Sequence, residues 1–183
     1  MVDEGKLSQV LCEFARTMIT ESPMQGIADR LVRCIVEVLP ATSAGVTLIV
    51  PESGSRYIAA SDHSALRYEQ IQSEIQDGPF HTAYATGEAV SVADLRDDER
   101  FSRFAAAAVP IGLAAVFAFP LRHDTDRLGA MNLYRTTPGA IDAHDITIAQ
   151  TLADVIAAYL VIAGARDDAR AAAESFKQIA LHD

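Results

Sequence analysis

The sequence has no Trp and only two Cys, and aromatic residues make up 7% of its 183 residues. Cys12 and Cys34 both fall in segments with helical periodicity, so we expect reduced core thiols and not a disulfide. The opening residues MVDEGKLSQ have neither the basic region nor the continuous apolar region of a signal peptide. These features together predict a cytoplasmic protein.

Positive charge and long apolar runs are also scarce. Lys and Arg number 15 against 25 Asp and Glu, for a formal net charge of -10, which argues against nucleic acid as a partner because phosphate binding needs a basic face. Residues 105–121 carry no charge, but Pro110, Gly112 and Pro120 interrupt them. We interpret this run as a helix followed by a strand, divided near Pro110, and expect no membrane partner.

Half of the residues are hydrophobic, enough for one domain with appended helices. An apolar stripe marks an N-terminal helix, formed by Leu7, Leu11, Phe14 and Met18. Ser22-Pro23 is typical of a helix start, and the helix that follows should stop before Pro40. Residues 45–50 predict a strand buried on both faces, joined to residues 56–61 by the turn PESGS, and residues 113–121 and 127–135 predict a second hairpin.

The C-terminal segment predicts a long helix with apolar residues at alternating steps of three and four. The seam consists of Leu152, Val155, Tyr159, Ile162, Arg166, Ala169, Ala173, Phe176 and Ala180. We interpret the helix up to Ile162 as packed on its own domain. Beyond Ile162 the pattern favours a parallel homodimeric coiled coil, which the N-terminal helix could join in a four-helix bundle.

The segment between Gln76 and Tyr134 resembles the GAF domain, a small-molecule sensor module common in bacterial signalling proteins. The matching pieces are Gly78-Pro79, Gly87-x-x-Val90, Asp94-Leu95, Asp97 or Asp98 before Arg100-Phe101, Pro120-Leu121 and Gly129-x-x-Asn132-Leu133-Tyr134. The resemblance implies an α+β fold of GAF/PAS-like type. It consists of a central antiparallel sheet of five or six strands, with helices on its faces and long N- and C-terminal helices.

We divide the chain into an N-terminal helix over residues 1–22, a GAF domain over 23–160 and a signalling helix over 161–183. The tripeptide Leu181-His182-Asp183 resembles the junction that precedes GGDEF diguanylate cyclase domains. The expected output is therefore a diguanylate cyclase in a longer protein, acting in cyclic di-GMP signalling. An RNA-binding ANTAR domain is the alternative output, because that class shares the QxGP and DLxxDxR motifs.

The resemblance places a ligand between the sheet and the helices that cover it. The expected binding residues are Phe80, Ala83, Arg100, Phe101, Phe104, Phe117, Asn132 and Tyr134. Asn132 and Tyr134 stand out, because a buried amide or phenol needs a hydrogen-bond partner. That partner could be a ligand, the backbone or water, and a filled apolar core is the alternative for Phe117 and Phe119.

No catalytic or metal site is predicted, and no cofactor is required. Both cysteines precede Gly45, so the pocket lacks the thiolate that methionine sulfoxide reductases of this family use or that a covalent bilin needs. His81 is the one candidate for haem or metal, and we interpret it as a surface residue near a helix N-terminus. Asp94, Asp97, Asp98 and Glu99 could hold a cation, but helix capping and pairing with Arg100 or Arg103 explain them better.

The sequence therefore predicts a non-enzymatic sensor that binds an unknown small molecule and controls a cyclase through a dimeric helix. A purely structural dimerisation module is one alternative. Feedback binding of GTP or cyclic di-GMP is another, with Arg56, Arg67, Arg100 and Arg103 as local positive charge.

Overall fold

A computed structural model of the protein describes residues 2–19, 24–49 and 56–182. The helices are α1 (Glu4–Ile19), α2 (Met24–Val38), α3 (His63–Ile75), α4 (Pro79–Thr86), α5 (Ser102–Ala108) and α6 (Ala143–His182). The strands are β1 (Ser43–Ile49), β2 (Arg56–Ala60), β3 (Val90–Val92), β4 (Ala115–His123) and β5 (Asp126–Arg135). The predictions for Ser22-Pro23 and for the turn at 51–55 lie outside the described residues.

The strands form one antiparallel five-stranded sheet in the order β2-β1-β5-β4-β3. This sheet, with helices on both faces, confirms the expected α+β fold class. The buried central strand was also predicted correctly, since all but the last residue of β1 are buried. The uncharged run at 105–121 divides into α5, a short 3₁₀ turn and β4, as expected from Pro110.

Alternate residues of the strands enter two separate cores, because successive side chains of a strand point to opposite faces. On one face, α2 and α6 cover an apolar cluster that includes Val46, Phe117, Phe119, Met131 and Leu133. On the other face, α3, α4 and α5 cover a second cluster. Tyr134 belongs to the second cluster, and Asn132 lies on the same face two residues before it.

Local capping fixes the helices of the second face. Gly78 precedes Pro79 at the start of α4, and Gly87 ends that helix in the left-handed conformation with φ 73°, which glycine adopts without steric cost. The Asp62 carboxylate accepts a hydrogen bond from the Ala65 N–H at 2.8 Å and caps α3. Asp98 caps the turn at Glu99–Phe101, as the sequence predicted.

The long helix α6 has a buried first half and an exposed end. Leu152 and Tyr159 are buried in the domain and Val155 is partly buried, so the seam packs internally as far as Tyr159, whereas Ile162 is 40% exposed. The stretch Ala143–Ile162 is long and apolar enough to cross a membrane, but a helix packed in a domain core meets the same criteria, and Leu152, Ile156 and Leu160 lie in the first core. Past Ile162, the described side chains at 171–181 are all exposed.

One expectation about the cysteines is wrong. Cys12 is exposed on α1 and Cys34 is only partly buried on α2. Because α1 packs on α2 and α6, a residue on its outer side does not reach the core.

Candidate functional site

A cluster of buried polar side chains lies between the sheet and α3, where the sequence placed the ligand. We call it the Glu69 cluster; its members are Thr47, Glu69, Gln72, Asn132 and Tyr134. Each of these residues is at most 2% exposed. The Glu69 carboxyl group accepts hydrogen bonds from Thr47 Oγ1 at 2.5 Å, Asn132 Nδ2 at 2.8 Å and Tyr134 Oη at 2.7 Å.

The backbone brings these groups together through strand register and helical spacing. Thr47 of β1 lies opposite Ala130 of β5, and Gly45 lies opposite Asn132, so all four share one face. Glu69 and Gln72 are three residues apart on α3 and therefore lie on the same side of that helix. Gly45 makes room for the acid, because a Cβ there would approach the Glu69 Cγ and Cδ atoms to 2.7 Å.

The electrostatics of the cluster favour the neutral acid. Burial raises the pKa of Glu69, and the hydrogen bonds from Thr47, Asn132 and Tyr134 oppose that shift only in part. Burial and then the neighbouring Glu69 carboxylate raise the pKa of Tyr134 well above its usual value. Among the described side chains, no cation forms an ion pair with Glu69.

Gln72 extends the cluster to α4. Its Nε2 donates to the Tyr134 hydroxyl at 3.1 Å, and its Oε1 accepts from the Phe80 N–H at 2.9 Å. That bond satisfies a free donor in the first turn of α4, where Gly78 has no side chain to do so. The His81 Nε2–H donates to the Gln72 carbonyl oxygen at 2.8 Å, which supports a structural role for His81 and not metal binding.

The structure brings six of the eight predicted binding residues to this side of the sheet. Asn132 and Tyr134 belong to the cluster, and the Phe80 amide contacts it through Gln72. Ala83, Phe101 and Phe104 belong to the apolar core beside it. Tyr68 also packs there, with its ring centroid 5.0 Å from that of Tyr134.

The other two predicted residues lie elsewhere. Phe117 is paired with Leu133 in the sheet and projects into the core under α2 and α6, on the face opposite the Glu69 cluster. Arg100 lies at the surface, where its guanidinium pairs with Asp98 at 2.6 Å and donates to the Ser91 carbonyl. The pairing with Asp98 holds the arginine on the outside of the turn, away from the Glu69 cluster.

Sequence reasoning missed Thr47, Glu69 and Gln72. A signal was present, because Ala65, Tyr68, Ile71 and Ile75 follow helical spacing. Glu69 and Gln72 fall on that apolar side, which marks them as polar residues entering a core. Gly45 within a strand was a second signal, because a strand glycine often marks the close approach of another group.

Two of the acidic residues after β3 form ion pairs with arginines two positions later in the chain. Asp94 pairs with Arg96 at 2.8 Å, and the arginine holds the pKa of Asp94 below its usual value. Likewise, the hydrogen bond from Arg100 lowers the pKa of Asp98. The described ranges contain no grouping of three or more His, Cys, Asp or Glu that could hold a metal ion.

Two arginines connect α4 to the rest of the domain. Arg127 donates to the carbonyls of Tyr84 and Ala85 at 3.0 and 2.7 Å, at the C-terminal end of α4. Arg122 donates to the Gly87 carbonyl at 2.7 Å and pairs with Asp154 of α6 at 3.3 Å. Arg122 therefore contacts both the end of α4 and the long helix.

The Glu69 cluster contains several hydrogen-bonding groups and no cysteine thiol. Neither cysteine is near the Glu69 cluster, since Cys12 and Cys34 lie on α1 and α2, and α2 covers the opposite face of the sheet. What the cluster can do is hold a carboxyl group through three neutral donors. In this structure the carboxyl group held there is that of Glu69.

Solved structures share this fold at low sequence identity. The GAF domain of a phosphoenolpyruvate-protein phosphotransferase from Coxiella burnetii superposes with a TM-score of 0.69 at 13% identity, covering 89% of this chain and 97% of its own. A phycoerythrobilin-bound GAF domain from a cyanobacterial phytochrome gives 0.68 at 11% identity, with 87% and 97% covered. The free methionine-R-sulfoxide reductase of Neisseria meningitidis, in complex with its substrate, gives 0.65 at 14% identity, with 91% and 95% covered.

A search of curated proteins found no match. The family model described as GAF domain matches residues 21–161, most of the chain and all five strands. With the sheet order and the covering helices as described, this chain belongs to the GAF domain family.

Proposed function

We propose that this chain is a dimeric sensory domain that passes the state of its covered pocket to an output domain through α6. The observation that carries the proposal is the end of α6, where Phe176, Ile179 and Leu181 are 75%, 62% and 83% exposed. Single exposed apolar residues are common, but three within two turns of a helix that extends beyond its domain suggest a partner. The partner we propose is the same segment of a second copy.

The sequence pattern supports this choice of partner. Ala173, Phe176 and Ala180 continue the alternating steps of three and four, and Ile179 widens the apolar surface beside them. Such a repeat is typical of parallel coiled coils. Arg166 and Ala169 also belong to the predicted seam, but their side chains lie outside the described set.

The sensory role is supported by the family and by the way the pocket is connected to α6. The phytochrome domain holds phycoerythrobilin and the reductase holds its substrate, so proteins with this fold bind small molecules. In this chain, Arg122 bridges the Gly87 carbonyl at the end of α4 and Asp154 of α6. A ligand that favours one arrangement of the covering helices would thereby shift the preferred position of α6.

The output that we propose is a diguanylate cyclase in the cytoplasm. Its support is the resemblance of Leu181-His182-Asp183 to the segment that precedes GGDEF domains. Because the reaction joins two GTP molecules held by two cyclase domains, the angle between paired helices would control it. The isolated chain should form no cyclic di-GMP from GTP, and formation of that product by this chain would contradict the assignment of a separate output domain.

A purely structural dimerisation module is the second candidate, and one observation favours it. Glu69 and Gln72 already occupy the space between α3 and the sheet. A structural module would keep these contacts and respond to no ligand. Titration with small molecules therefore separates the two candidates, whereas the oligomeric state does not.

The dimer is tested by replacing Phe176 with Glu. We expect the unmodified chain to sediment as a dimer and Phe176→Glu to dissociate at least ten times more readily, because a carboxylate would face the apolar seam. Gln178→Glu is the matched control: it adds the same charge at an exposed position off the seam and should remain dimeric. Sedimentation velocity over a concentration series measures both, with circular dichroism to verify helix content.

Two outcomes would overturn the dimer proposal. One is a monomeric unmodified chain at every concentration in the series. The other is a Phe176→Glu variant that remains as dimeric as Gln178→Glu, because the seam would then not form the interface.

A further inference from the structure

The sheet side of the Glu69 cluster is an array of hydrogen-bond donors. Thr47 Oγ1, Asn132 Nδ2 and Tyr134 Oη come from β1 and β5, and all three donate to the two oxygens of one carboxyl group. The sheet therefore presents a site whose geometry fits a carboxyl group. Glu69 fills that site from α3, a separate element.

The same site contains an acceptor that Glu69 does not satisfy. Asn132 is fully buried, and its Oδ1 has no hydrogen-bond partner among the described residues. Buried amide oxygens are seldom left without a donor. A molecule that fits the whole site would carry a hydroxyl or amino group next to its carboxyl group.

The contacts of Glu69 would allow such a molecule to take the place of its carboxyl group. Glu69 forms no ion pair with a described side chain, and the absence of a Cβ at Gly45 leaves the space that its carboxyl end occupies. Helix α3 ends at Gln76 in the left-handed conformation, φ 57°, and Gly78 follows with φ 137°. If the Glu69 side chain withdrew with α3, the donors and the space beside Gly45 would remain on the sheet.

We propose that Thr47, Asn132 and Tyr134 form a recognition site for a small α-hydroxy or α-amino acid, and that Glu69 is a built-in occupant which this ligand displaces. The inference rests on the proposed sensory function and names its ligand class. Displacement separates α3 from the sheet and from Tyr134. Since Gln72 on the same helix contacts Phe80, the change extends to the start of α4.

Competition with Glu69 gives a direct test. Glycolate is the probe, acetate lacks the adjoining hydroxyl group, and glycolamide lacks the carboxylate; each is titrated by calorimetry at constant ionic strength. We expect Glu69→Ala to bind glycolate at least tenfold more tightly than the unmodified chain, because the internal competitor is gone. Acetate should bind more weakly than glycolate, because it lacks the hydroxyl group that would donate to the Asn132 Oδ1; glycolamide serves as the uncharged comparison.

Matched variants assign the effect to the site. Glu74→Ala, on the exposed side of the same helix, should bind glycolate like the unmodified chain. Adding Tyr134→Phe to Glu69→Ala removes one donor and should weaken glycolate binding about tenfold. Equal glycolate affinity in Glu69→Ala and the unmodified chain, or no effect of Tyr134→Phe, overturns the proposal.

A second measurement covers the case in which Glu69→Ala fails to fold. Hydrogen exchange of the unmodified chain should become faster in α3, residues 63–75, when glycolate is present at saturating concentration, and acetamide should have no such effect. Unchanged exchange in α3 overturns the proposal. Calorimetry and hydrogen exchange both report ligand binding and not oligomeric state. A negative result in these experiments therefore does not affect the dimer proposal, and a monomeric chain would not affect the ligand-site proposal.

Discussion

At the scale of single residues, Glu69 makes the stability of the fold depend on pH. Its folded-state pKa lies above the ordinary value of 4.5, with burial as the main cause. The unfolded chain therefore releases this proton at lower pH than the folded chain does. The free energy of unfolding therefore decreases as pH rises from about 4.5 to the raised pKa of Glu69. Above that pKa it stays at the lower value.

Glu69→Gln should remove that dependence. The amide keeps the size of the acid and mimics its neutral form, accepting from Asn132 and Tyr134 and donating to Thr47. We expect the stability of Glu69→Gln relative to the unmodified chain to increase with pH above about 4.5, by up to about 1.4 kcal/mol per pH unit within the window. Urea unfolding at a series of pH values measures this difference in stability, with Glu74→Gln as control. Parallel curves of the free energy of unfolding against pH for all three chains would contradict the prediction.

A pair of glycine substitutions tests how tightly Glu69 is held. Gly45→Ala places a methyl group against the Glu69 side chain, and we expect it to lower the free energy of unfolding by about 1–3 kcal/mol through overpacking. Gly26→Ala is the control, because a Cβ there meets nothing within 4 Å. In helix α2 this change should stabilise the protein by about 0.5–1 kcal/mol.

Chemical unfolding of both glycine variants gives the comparison. Combining Gly45→Ala with Glu69→Ala should recover part of the loss, since the acid that clashes is removed. If Gly45→Ala were as stable as the unmodified chain, the close approach of Glu69 to β1 would be wrong.

At the scale of elements, α3 and α4 are joined through one side chain. Gln72 accepts from the Phe80 N–H and donates to Tyr134, so it supplies a cap that α4 does not make for itself. Gln72→Ala should remove both of these hydrogen bonds and lower the free energy of unfolding by about 1–3 kcal/mol, although the Tyr134 hydroxyl keeps its bond to Glu69. Exchange of the amide hydrogens at residues 80–83 should become faster.

Gln70→Ala is the matched control for this helix pair, because Gln70 is exposed on α3 and should change neither quantity. If the amide hydrogens of residues 80–83 exchanged as slowly in Gln72→Ala as in the control, Gln72 would not be the cap of α4. Hydrogen exchange read by mass spectrometry distinguishes the two results.

At the scale of the whole molecule, the sequence predicted the elements well and the side-chain partners less well. The hairpin of residues 113–121 and 127–135 and the division near Pro110 follow from local rules of periodicity and of glycine and proline geometry. Strand alternation also showed that Asn132 and Tyr134 share a face. Such signals depend on neighbouring residues, and so a single sequence contains them.

Those local rules could not predict side-chain contacts between residues that are distant in the chain. Whether Phe117 and Asn132 share a face depends on the register between β4 and β5, where Phe117 is opposite Leu133. The carboxyl group that meets Asn132 and Tyr134 comes from α3, more than sixty residues earlier. Arg100 was expected in the pocket because the resemblance to GAF domains placed it there, and its pairing with Asp98 holds it at the surface.

The length of α6 has a mechanical consequence. Roughly 20 residues extend past Ile162, about 30 Å at 1.5 Å per residue, while the first half is anchored on the sheet. A tilt of about 5° in the anchored half would move the far tip by nearly 3 Å by that geometry, comparable to the length of a hydrogen bond. If α6 transmits a signal as proposed, the helix acts as a lever, and a small rearrangement within the domain becomes a larger displacement at its far end.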